Sequence, residues 1–334
     1  MSQPLVVRIG VYPHRAEETV AWERDAFQVA GCTYQFLEAS DPQGQIEQIR
    51  DADAIVFGGG GRWDEAVFAQ LERCQVLMSC SVGIDWIDVD AATRHRVNIV
   101  HIPDMCTDEV ADHTLALLLA CVRKIPALSA RVQSGIWDRS LLAPMPRLRG
   151  RTLGLLGFGR IARQVADRAR GFGLAIITFD PVVDAATAAA AGARLVDLET
   201  LLRESDVLSV HTPLMASTRG LIGAEAFRLM KPSSYLINTS RGPVVDEAAL
   251  IEALRSGQIR GAGLDVLEHE PPHADNPLLR MDNVVVTAHA AGFSDEVVES
   301  IPRVAVREVL AVLQNGAPSP AAWANRAALQ ATAS

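Results

Sequence analysis

The chain has 334 residues, which at roughly 150 residues per domain suggests about two domains. Hydrophobic residues make up 49% of the sequence and charged residues 21%, so each half can bury a core and the class of disordered proteins is excluded. The net charge of −9, from 31 basic and 40 acidic residues, argues against a nucleic-acid-binding protein, which usually carries a basic surface.

Cysteine usage and the apolar runs bear on where the protein works. The five cysteines are scattered without the spacing of a metal site or a disulfide framework, which favours reduced thiols in the cytosol. The first ten residues lack the basic region, apolar run and cleavage site of a signal peptide. The longest strongly apolar run, residues 115–122, is far too short to span a bilayer. We therefore predict a soluble cytoplasmic protein with neither a membrane nor a nucleic acid as partner.

The first third of the chain alternates short apolar runs with amphipathic stretches. Apolar strands separated by helices are typical of a parallel sheet that is covered on both faces. A helix is predicted at residues 17–29, and a run of four glycines follows the second strand at 58–61. This run is not a nucleotide-binding P-loop, because no Lys-Ser or Lys-Thr pair follows it. The predicted strands are residues 6–11, 54–57, 76–78 and 97–100.

Residues 108–125 predict one long helix with Thr107 as its N-cap residue. Acidic side chains stand in the first turn and basic ones in the last, as the helix dipole favours. The stretch is apolar nearly all round, which predicts burial between domains or subunits. Pro126 and Gly135 punctuate the segment that follows.

A second series of strands and helices begins near residue 152. Its six predicted strands fit a doubly wound sheet. A final helix is predicted at 295–315, and its return to the first sheet would make the N-terminal domain discontinuous. The predicted strands are residues 152–156, 175–179, 207–210, 234–237, 261–264 and 284–287.

The sequence at 157–162 has the pattern GxGxxA between an apolar strand and a helix. In this context Gly157 permits a tight turn, Gly159 lets the backbone approach a pyrophosphate, and Ala162 keeps helix and strand close. The helix N-terminus adds free N–H groups and a positive dipole end. The pattern predicts a dinucleotide site, and an ordinary glycine-rich turn is the alternative.

Asp180 ends the next predicted strand, 23 residues after Gly157. A carboxylate at this position can accept hydrogen bonds from both ribose hydroxyls, and it repels a 2′-phosphate. No arginine follows at 181–183 to hold such a phosphate. The sequence therefore favours NAD over NADP as the cofactor, with a solvated loop aspartate as the alternative interpretation.

Three polar segments each follow a predicted strand, at 238–243, 263–272 and 287–292. The carboxyl ends of parallel strands meet at one sheet edge, which is where doubly wound sheets bind ligands. Within these segments Arg241 can bind a carboxylate through its two-pronged guanidinium, and His289 can give or take a proton near neutral pH. A surface or ion-paired arginine and a structural histidine are the alternatives.

Together with the sequences VGID at 82–85, VADH at 110–113 and HTPL at 211–214, these segments resemble the D-isomer-specific 2-hydroxyacid dehydrogenase family over nearly the whole chain. Residues 103–119 are most similar to the bacterial subgroup labelled C-terminal-binding-protein-like dehydrogenases. The resemblance implies an α/β fold of two Rossmann- or flavodoxin-like doubly wound parallel-sheet domains with a cleft between them. It implies a substrate domain formed by 1–101 and 293–334 and an NAD-binding domain at 102–292.

The resemblance also implies roles for individual residues in reducing a 2-keto acid. Arg241 is expected to clamp the carboxylate, and His289 to donate the proton. A carboxylate bonded to the imidazole stabilises the imidazolium; Glu268 and Glu270 are both candidates, and the family places the acid just before the proline, at Glu270. Asp265 resembles the residue that holds the nicotinamide carboxamide, with a helix-capping aspartate as the alternative.

The remaining contacts implied by the resemblance lie in loops of both domains. Substrate contacts are expected at Gly59, Val82 and Gly83, besides Arg241. No metal is expected, because the HExxH pattern at 269–273 contains two prolines that are incompatible with the helix a zinc protease needs. The expected cofactor contacts are Thr107, Gly157, Gly159, Arg160, Ile161, Asp180, His211, Thr212, Pro213, Thr239, Ser240, Asp265 and Gly292.

The sequence thus predicts an NAD-dependent oxidoreductase that interconverts a 2-keto acid and a D-2-hydroxy acid, with chemistry like that of a glyoxylate or hydroxypyruvate reductase or a phosphoglycerate dehydrogenase. Two alternatives stay open: an NAD(H)-sensing, corepressor-like binding module, and a dehydrogenase of another oxyacid such as phosphite. The resemblance also implies a homodimer, with contacts from the helix at Asp108 and the segment up to Gly150.

Overall fold

The computed structural model describes residues 3–10, 16–39, 41–59, 61–140 and 143–332. These residues form two compact units: one runs up to Cys106 and resumes at Ser294, and the other is Thr107–Phe293. Two positions of the predicted elements, Val11 and Gly60, lie outside the described residues.

Each unit contains one parallel sheet. The first has the order β2-β1-β3-β4-β5 and the second the order β12-β11-β10-β9-β6-β7-β8. This confirms the predicted class, an α/β fold with two doubly wound parallel sheets. The strands of the first sheet are β1 Leu5–Ile9, β2 Thr33–Leu37, β3 Ala54–Phe57, β4 Val76–Ser79 and β5 Asn98–Val100. Those of the second are β6 Thr152–Leu156, β7 Ala175–Phe179, β8 Arg194–Leu195, β9 Val207–Val210, β10 Tyr235–Asn238, β11 Gly261–Leu264 and β12 Val284–Val286.

Helices connect most of the strands, and several begin at an aspartate whose carboxylate accepts a backbone N–H of the first turn. Among the described residues, none of the helices is both long and apolar enough to cross a membrane. The helices are α1 Ala16–Val29, α2 Ile46–Ile49, α3 Glu65–Phe68, α4 Val89–Arg94, α5 Thr107–Arg123, α6 Ile125–Gln133, α7 Arg160–Arg170, α8 Ala185–Ala190, α9 Leu198–Glu204, α10 Ala224–Leu229, α11 Glu247–Ser256, α12 Asp295–Asn315 and α13 Arg326–Thr332.

The first unit is built on strands whose residues are buried throughout, such as β3 and β4. Strand β2 at the sheet edge was not predicted, because its mixed sequence TYQFL is only half-buried and carries little apolar signal. Helix α12 packs against α1, β3 and β4, so the last long helix of the chain belongs to the first unit. Its hydroxyl cap is Ser294, which accepts the N–H of Val297 at 3.1 Å.

The second unit has seven strands rather than the predicted six. The additional strand, β8, comprises only two residues, which is too short to leave a pattern in the sequence. All strands of this sheet are parallel, but their order along the chain runs outward in opposite directions from β6 and from β9. This is the switch point at which doubly wound sheets bind ligands. Apolar clusters cover both faces of the sheet.

The predicted helix at 108–125 is wrong in two respects. Thr107 is the first helical residue rather than the cap, and the helix ends at Arg123 because Lys124 adopts a left-handed conformation with φ +54°. A second helix, α6, then starts with Pro126 in its first turn, where a missing N–H costs nothing. The apolar face of α5 packs on α7, β10, β11 and β12, so its own unit accounts for that burial.

Candidate active site

Two glycines with different structural roles shape the turn after β6. Gly157 has φ +89°, and a Cβ at this position would lie 2.9 Å from the carbonyl oxygen of His211, so no larger residue fits. Gly159 precedes the first turn of α7, and no described atom lies within 4 Å of where its Cβ would be. The turn therefore leaves open space before a helix N-terminus, which suits a pyrophosphate.

Asp180, directly after β7, binds the same turn. Its Oδ2 accepts the N–H of Phe158 at 2.8 Å, and its Oδ1 accepts the N–H groups of Val182 at 2.8 Å and Val183 at 3.2 Å. The residue is half-buried. A carboxylate has about four acceptor positions, so one stays available to ribose hydroxyls.

The loops after β9 and β10 lie against this turn. His211 Nε2 is 2.8 Å from the hydroxyl of Ser209, and burial lowers the pKa of His211 to about 4, so its ring is neutral at pH 7. The carbonyl of Thr212 accepts the hydroxyl of Ser240, and that of Pro213 accepts the hydroxyl of Thr218 at 2.7 Å. Five of the predicted cofactor contacts thus lie in two adjoining loops: His211, Thr212, Pro213, Thr239 and Ser240.

Arg241 stands in a turn that the buried side chain of Asn238 closes. Asn238 donates its Nδ2 to the carbonyl of Arg241 at 3.0 Å and accepts the N–H of Ser240 at 3.0 Å. At Gly242, an added Cβ would lie 1.8 Å from the carbonyl oxygen of Leu267, so only glycine allows the two loops this approach. Asn238 was not among the predicted site residues, although it is the first residue of the segment at 238–243 that was singled out.

His289 and Glu270 form a hydrogen-bonded pair, with Nδ1 and Oε2 2.6 Å apart. The other oxygen of Glu270 accepts the N–H of Leu267 at 3.0 Å. Burial raises the pKa of Glu270, but the hydrogen bond and charge of His289, the Leu267 amide and the charge of Arg241 outweigh it, so the pKa is lowered overall. Glu268 is exposed, and the acid beside the imidazole is Glu270.

The loop at 287–291, here called the His289 loop, wraps around the side chain of Asp265, which is 1% exposed. The carboxylate accepts the hydroxyl of Thr287 at 2.6 Å and the N–H groups of Ala290 and Ala291, each at 2.9 Å. The N–H of His289 donates to the carbonyl of Asp265 at 2.8 Å. Asp265 therefore organises the loop that carries the imidazole, and it caps no helix.

Two neighbouring residues of α5 reach two of these loops, and sequence reasoning assigned neither a role. His113 Nε2 lies 2.9 Å from Thr287 Oγ1, and the hydroxyl of Thr114 lies 2.8 Å from that of Thr239. Adjacent polar residues on an otherwise apolar helix were the available signal.

In the first unit, the loop after β4 presents two amide groups. The carbonyl of Val82 lies 2.9 Å from His101 Nδ1, and that of Gly83 accepts the hydroxyl of Ser81 at 2.7 Å. No described residue accepts the N–H of Val82 or Gly83, so both amides can bind an anion. Gly59, with φ +119°, has open space on its side-chain side.

The other predicted positions lie at the edges of these elements. Residues 269–273 form no helix, as the two prolines predicted. Arg160 is exposed and Ile161 half-buried at the start of α7, Thr107 begins α5, and Gly292 follows the His289 loop.

This chain belongs to the D-isomer specific 2-hydroxyacid dehydrogenase family. Residues 115–291 match the family model described as the NAD binding domain. The chain is 38% identical over 279 residues to the glyoxylate reductase of Thermococcus litoralis, a match that covers 82% of this chain and 84% of that protein. It is 40% identical over 270 residues to the D-3-phosphoglycerate dehydrogenase of Methanocaldococcus jannaschii, covering 80% of this chain and 51% of that protein.

The chain thus spans about half the length of the phosphoglycerate dehydrogenases it matches. Among solved structures, it is similar to the D-lactate dehydrogenase of Aquifex aeolicus, which was crystallised with NAD and lactic acid. That likeness has a TM-score of 0.84 at 30% identity and covers 93% of this chain and 96% of that one. The family and the NAD-binding domain predicted from the sequence are confirmed.

Proposed function

We propose that this protein is an NAD-dependent oxidoreductase that interconverts a 2-keto acid and a D-2-hydroxy acid. The observation that carries the proposal is the 2.6 Å contact between Glu270 Oε2 and His289 Nδ1. The charge of the nearby Arg241 helps to lower the pKa of Glu270. An acid, its charged partner and a guanidinium are what reduction of a keto acid requires. The names of the relatives suggest glyoxylate or the keto acid related to 3-phosphoglycerate as the substrate class.

In the reducing direction, Arg241 binds the substrate carboxylate and polarises the keto oxygen. His289 donates a proton to the carbonyl oxygen, and Glu270 stabilises the imidazolium before that transfer. NADH, when bound, supplies the hydride that the carbonyl carbon receives. The carbonyl thereby gains one hydride and one proton and becomes the hydroxyl-bearing carbon of the product.

The residues around the glycine-rich turn fit an NAD molecule. The open space at Gly159 and the N-terminus of α7 suit the pyrophosphate, and Asp180 suits the adenosine ribose. Further contacts are proposed for residues of the adjoining loops: Thr107, Arg160, Ile161, His211, Thr212, Pro213, Thr239, Ser240, Asp265 and Gly292.

Asp180→Ala is expected to weaken NADH binding by roughly 10-fold to 100-fold and to reduce the preference for NADH over NADPH, because the charge-assisted hydrogen bond from the ribose and the negative charge that repels a 2′-phosphate are both lost. Binding of both cofactors, measured by fluorescence titration, tests this. Asp184→Ala is the matched control, since Asp184 lies in the same loop but caps α8. An unchanged preference in Asp180→Ala would contradict the assignment.

The activity itself is tested by NADH oxidation with glyoxylate, hydroxypyruvate, pyruvate, 2-ketobutyrate and phenylpyruvate. We expect turnover of one or more, and a loss of roughly 100-fold to 10,000-fold in His289→Ala, the range for a missing general acid. His273→Ala, at an exposed histidine of a nearby loop, is the control and should turn over normally. Tight NADH binding without turnover of any keto acid would contradict the proposal.

The two alternatives are less well supported. The similar proteins are named as reductases and dehydrogenases of hydroxy acids, and nothing in them favours a corepressor-like module or a phosphite dehydrogenase. Assignment to the C-terminal-binding-protein-like subgroup rests on residues 103–119 alone. A cytoplasmic location also stays a proposal.

We also propose a homodimer that uses α6 and the residues after it. No residue of α6 is buried, and apolar side chains there are exposed, led by Trp137 at 85%. An exposed apolar patch of this kind marks an interaction surface. Sedimentation should detect a dimer that Ile136→Ser with Trp137→Ser weakens, whereas Val29→Ser, at an isolated exposed valine, should leave it intact. A monomeric wild-type protein would refute this proposal.

A further inference from the structure

A histidine that the proposed mechanism does not use lies behind the His289 loop. His113 stands on α5 in the same unit, and its side chain is 24% exposed. Its Nε2 lies 2.9 Å from Thr287 Oγ1 and 3.5 Å from Asp265 Oδ1. This contact joins the helix to the residues on which the loop is built.

The direction of each hydrogen bond in this series follows from valence. An ionised carboxylate only accepts, so the hydroxyl of Thr287 donates its one hydrogen to Asp265 Oδ1. The hydroxyl oxygen of Thr287 must then accept a hydrogen bond from His113, whose Nε2 therefore carries a proton. His113 is thus the outermost donor in a directed series that ends on a buried carboxylate.

Asp265, at the end of this series, binds the backbone of His289 and of the two residues that follow it. His289 has φ +50°, a left-handed conformation that residues other than glycine rarely adopt. Such a conformation persists only where the surroundings over-determine it. Here three consecutive amides donate to Asp265: that of His289 to its main-chain carbonyl, and those of Ala290 and Ala291 to its carboxylate.

We propose that His113 is a positioning residue for the proton transfer from His289. By donating to Thr287 it fixes the hydroxyl on the Asp265 carboxylate, and that carboxylate in turn holds the amides of Ala290 and Ala291, which directly follow the residue that carries the imidazole. Without that donor the hydroxyl can rotate toward other acceptors, and a buried carboxylate that loses one of its donors holds the loop less firmly. The inference rests on the proposed function, in which His289 is the acid.

The test compares His113→Leu, which removes the donor, with His113→Gln, whose amide places a donor at similar reach. Three quantities are measured on the full chain: kcat and KM for NADH-dependent reduction, amide hydrogen exchange of the peptide containing 287–291, and the melting temperature. His95→Leu is the matched control, because His95 pairs with Glu65 on the surface of the first unit.

We expect His113→Leu to lower kcat by roughly 10-fold to 100-fold, as misplacement of a catalytic group does, with KM for NADH within about twofold of wild type. Exchange in the His289 loop should be faster in the same variant. His113→Gln should restore both quantities, and His95→Leu should change neither.

Two results would overturn the inference: wild-type kcat and exchange in His113→Leu, or equal losses in the Leu and Gln variants at equal melting temperature. If His113→Leu does not fold, Thr287→Val and Thr287→Ser provide the same comparison. The valine variant removes the hydroxyl that donates directly to Asp265, and the serine variant keeps it. Failure of the proposed function is separate, because the exchange measurement needs no turnover. A wild-type protein that reduces no keto acid refutes that function, while the exchange in the variants still tests the series of hydrogen bonds.

Discussion

Arg241→Ala is expected to lower kcat/KM for keto-acid reduction by roughly 1,000-fold or more, while NADH affinity stays within about threefold of wild type. The guanidinium fork donates two charge-assisted hydrogen bonds to a carboxylate, each worth about 1.5–3 kcal/mol. Truncation removes both, together with the hydrogen bond from Arg241 Nη1 to the carbonyl of Ser240 at 2.8 Å, while Asn238 still binds the backbone of the turn. Steady-state kinetics and a fluorescence titration measure the two quantities.

Arg241→Lys separates charge from shape. Lysine keeps the positive charge but cannot donate in two-point fashion, so we expect activity between that of wild type and alanine. Arg255→Ala, at an exposed position in the last turn of α11, is the matched control and should be fully active. Near wild-type turnover in Arg241→Ala would show that another residue binds the carboxylate.

Glu270→Gln is expected to lower the rate of keto-acid reduction by roughly 100-fold near pH 8, with a smaller loss of rate near pH 6. The glutamine removes the negative charge that stabilises the imidazolium of His289, so the acid form persists only at lower pH. The basic limb of the pH profile for reduction should therefore move to lower pH. A profile from pH 5 to 9 measures the displacement.

The sign of the effect follows from the lowered pKa of Glu270. Because this pKa lies below the ordinary value of 4.5, the carboxylate is charged throughout the neutral range and loses its charge only as the pH falls below that value. Glu270 itself therefore adds no limb near neutrality in the wild type. Glu268→Gln, at the exposed neighbour, should leave the profile unchanged. A basic limb that stays in place in Glu270→Gln would mean that His289 does not depend on this pair.

Most strands and helices could be predicted from the sequence, because each is indicated by a pattern of neighbouring residues. Strands such as β7 and β9 match the predicted bounds, since they are short apolar runs buried on both faces. The break between α5 and α6 was missed, because the apolar pattern continues across Lys124 and only its left-handed backbone interrupts the helix. Strands β2 and β8 were missed because one is half-exposed and the other has two residues.

The site residues likewise fall into those that a local sequence pattern predicted and those that it did not. Arg241, Glu270 and His289 stand in segments with a strong pattern, and the last two are in direct contact. Two residues that support them, His113 and Asn238, were not predicted, because each acts through a contact that is remote in the chain or through the backbone. His113 reaches a threonine 174 positions away, and Asn238 acts on the main chain of its own turn.

The two polar residues of α5 have a consequence for how the chain can change. His113 and Thr114 bind loops that follow different strands, through hydrogen bonds of 2.9 and 2.8 Å. Each residue of an α-helix advances about 1.5 Å along the axis and turns about 100°, so one residue inserted between Thr114 and the buried Leu117, Leu118 and Cys121 would move both side chains away from their partners. The spacing of His113 and Thr114 from this buried part of the helix is therefore fixed, whereas its exposed positions can vary in composition.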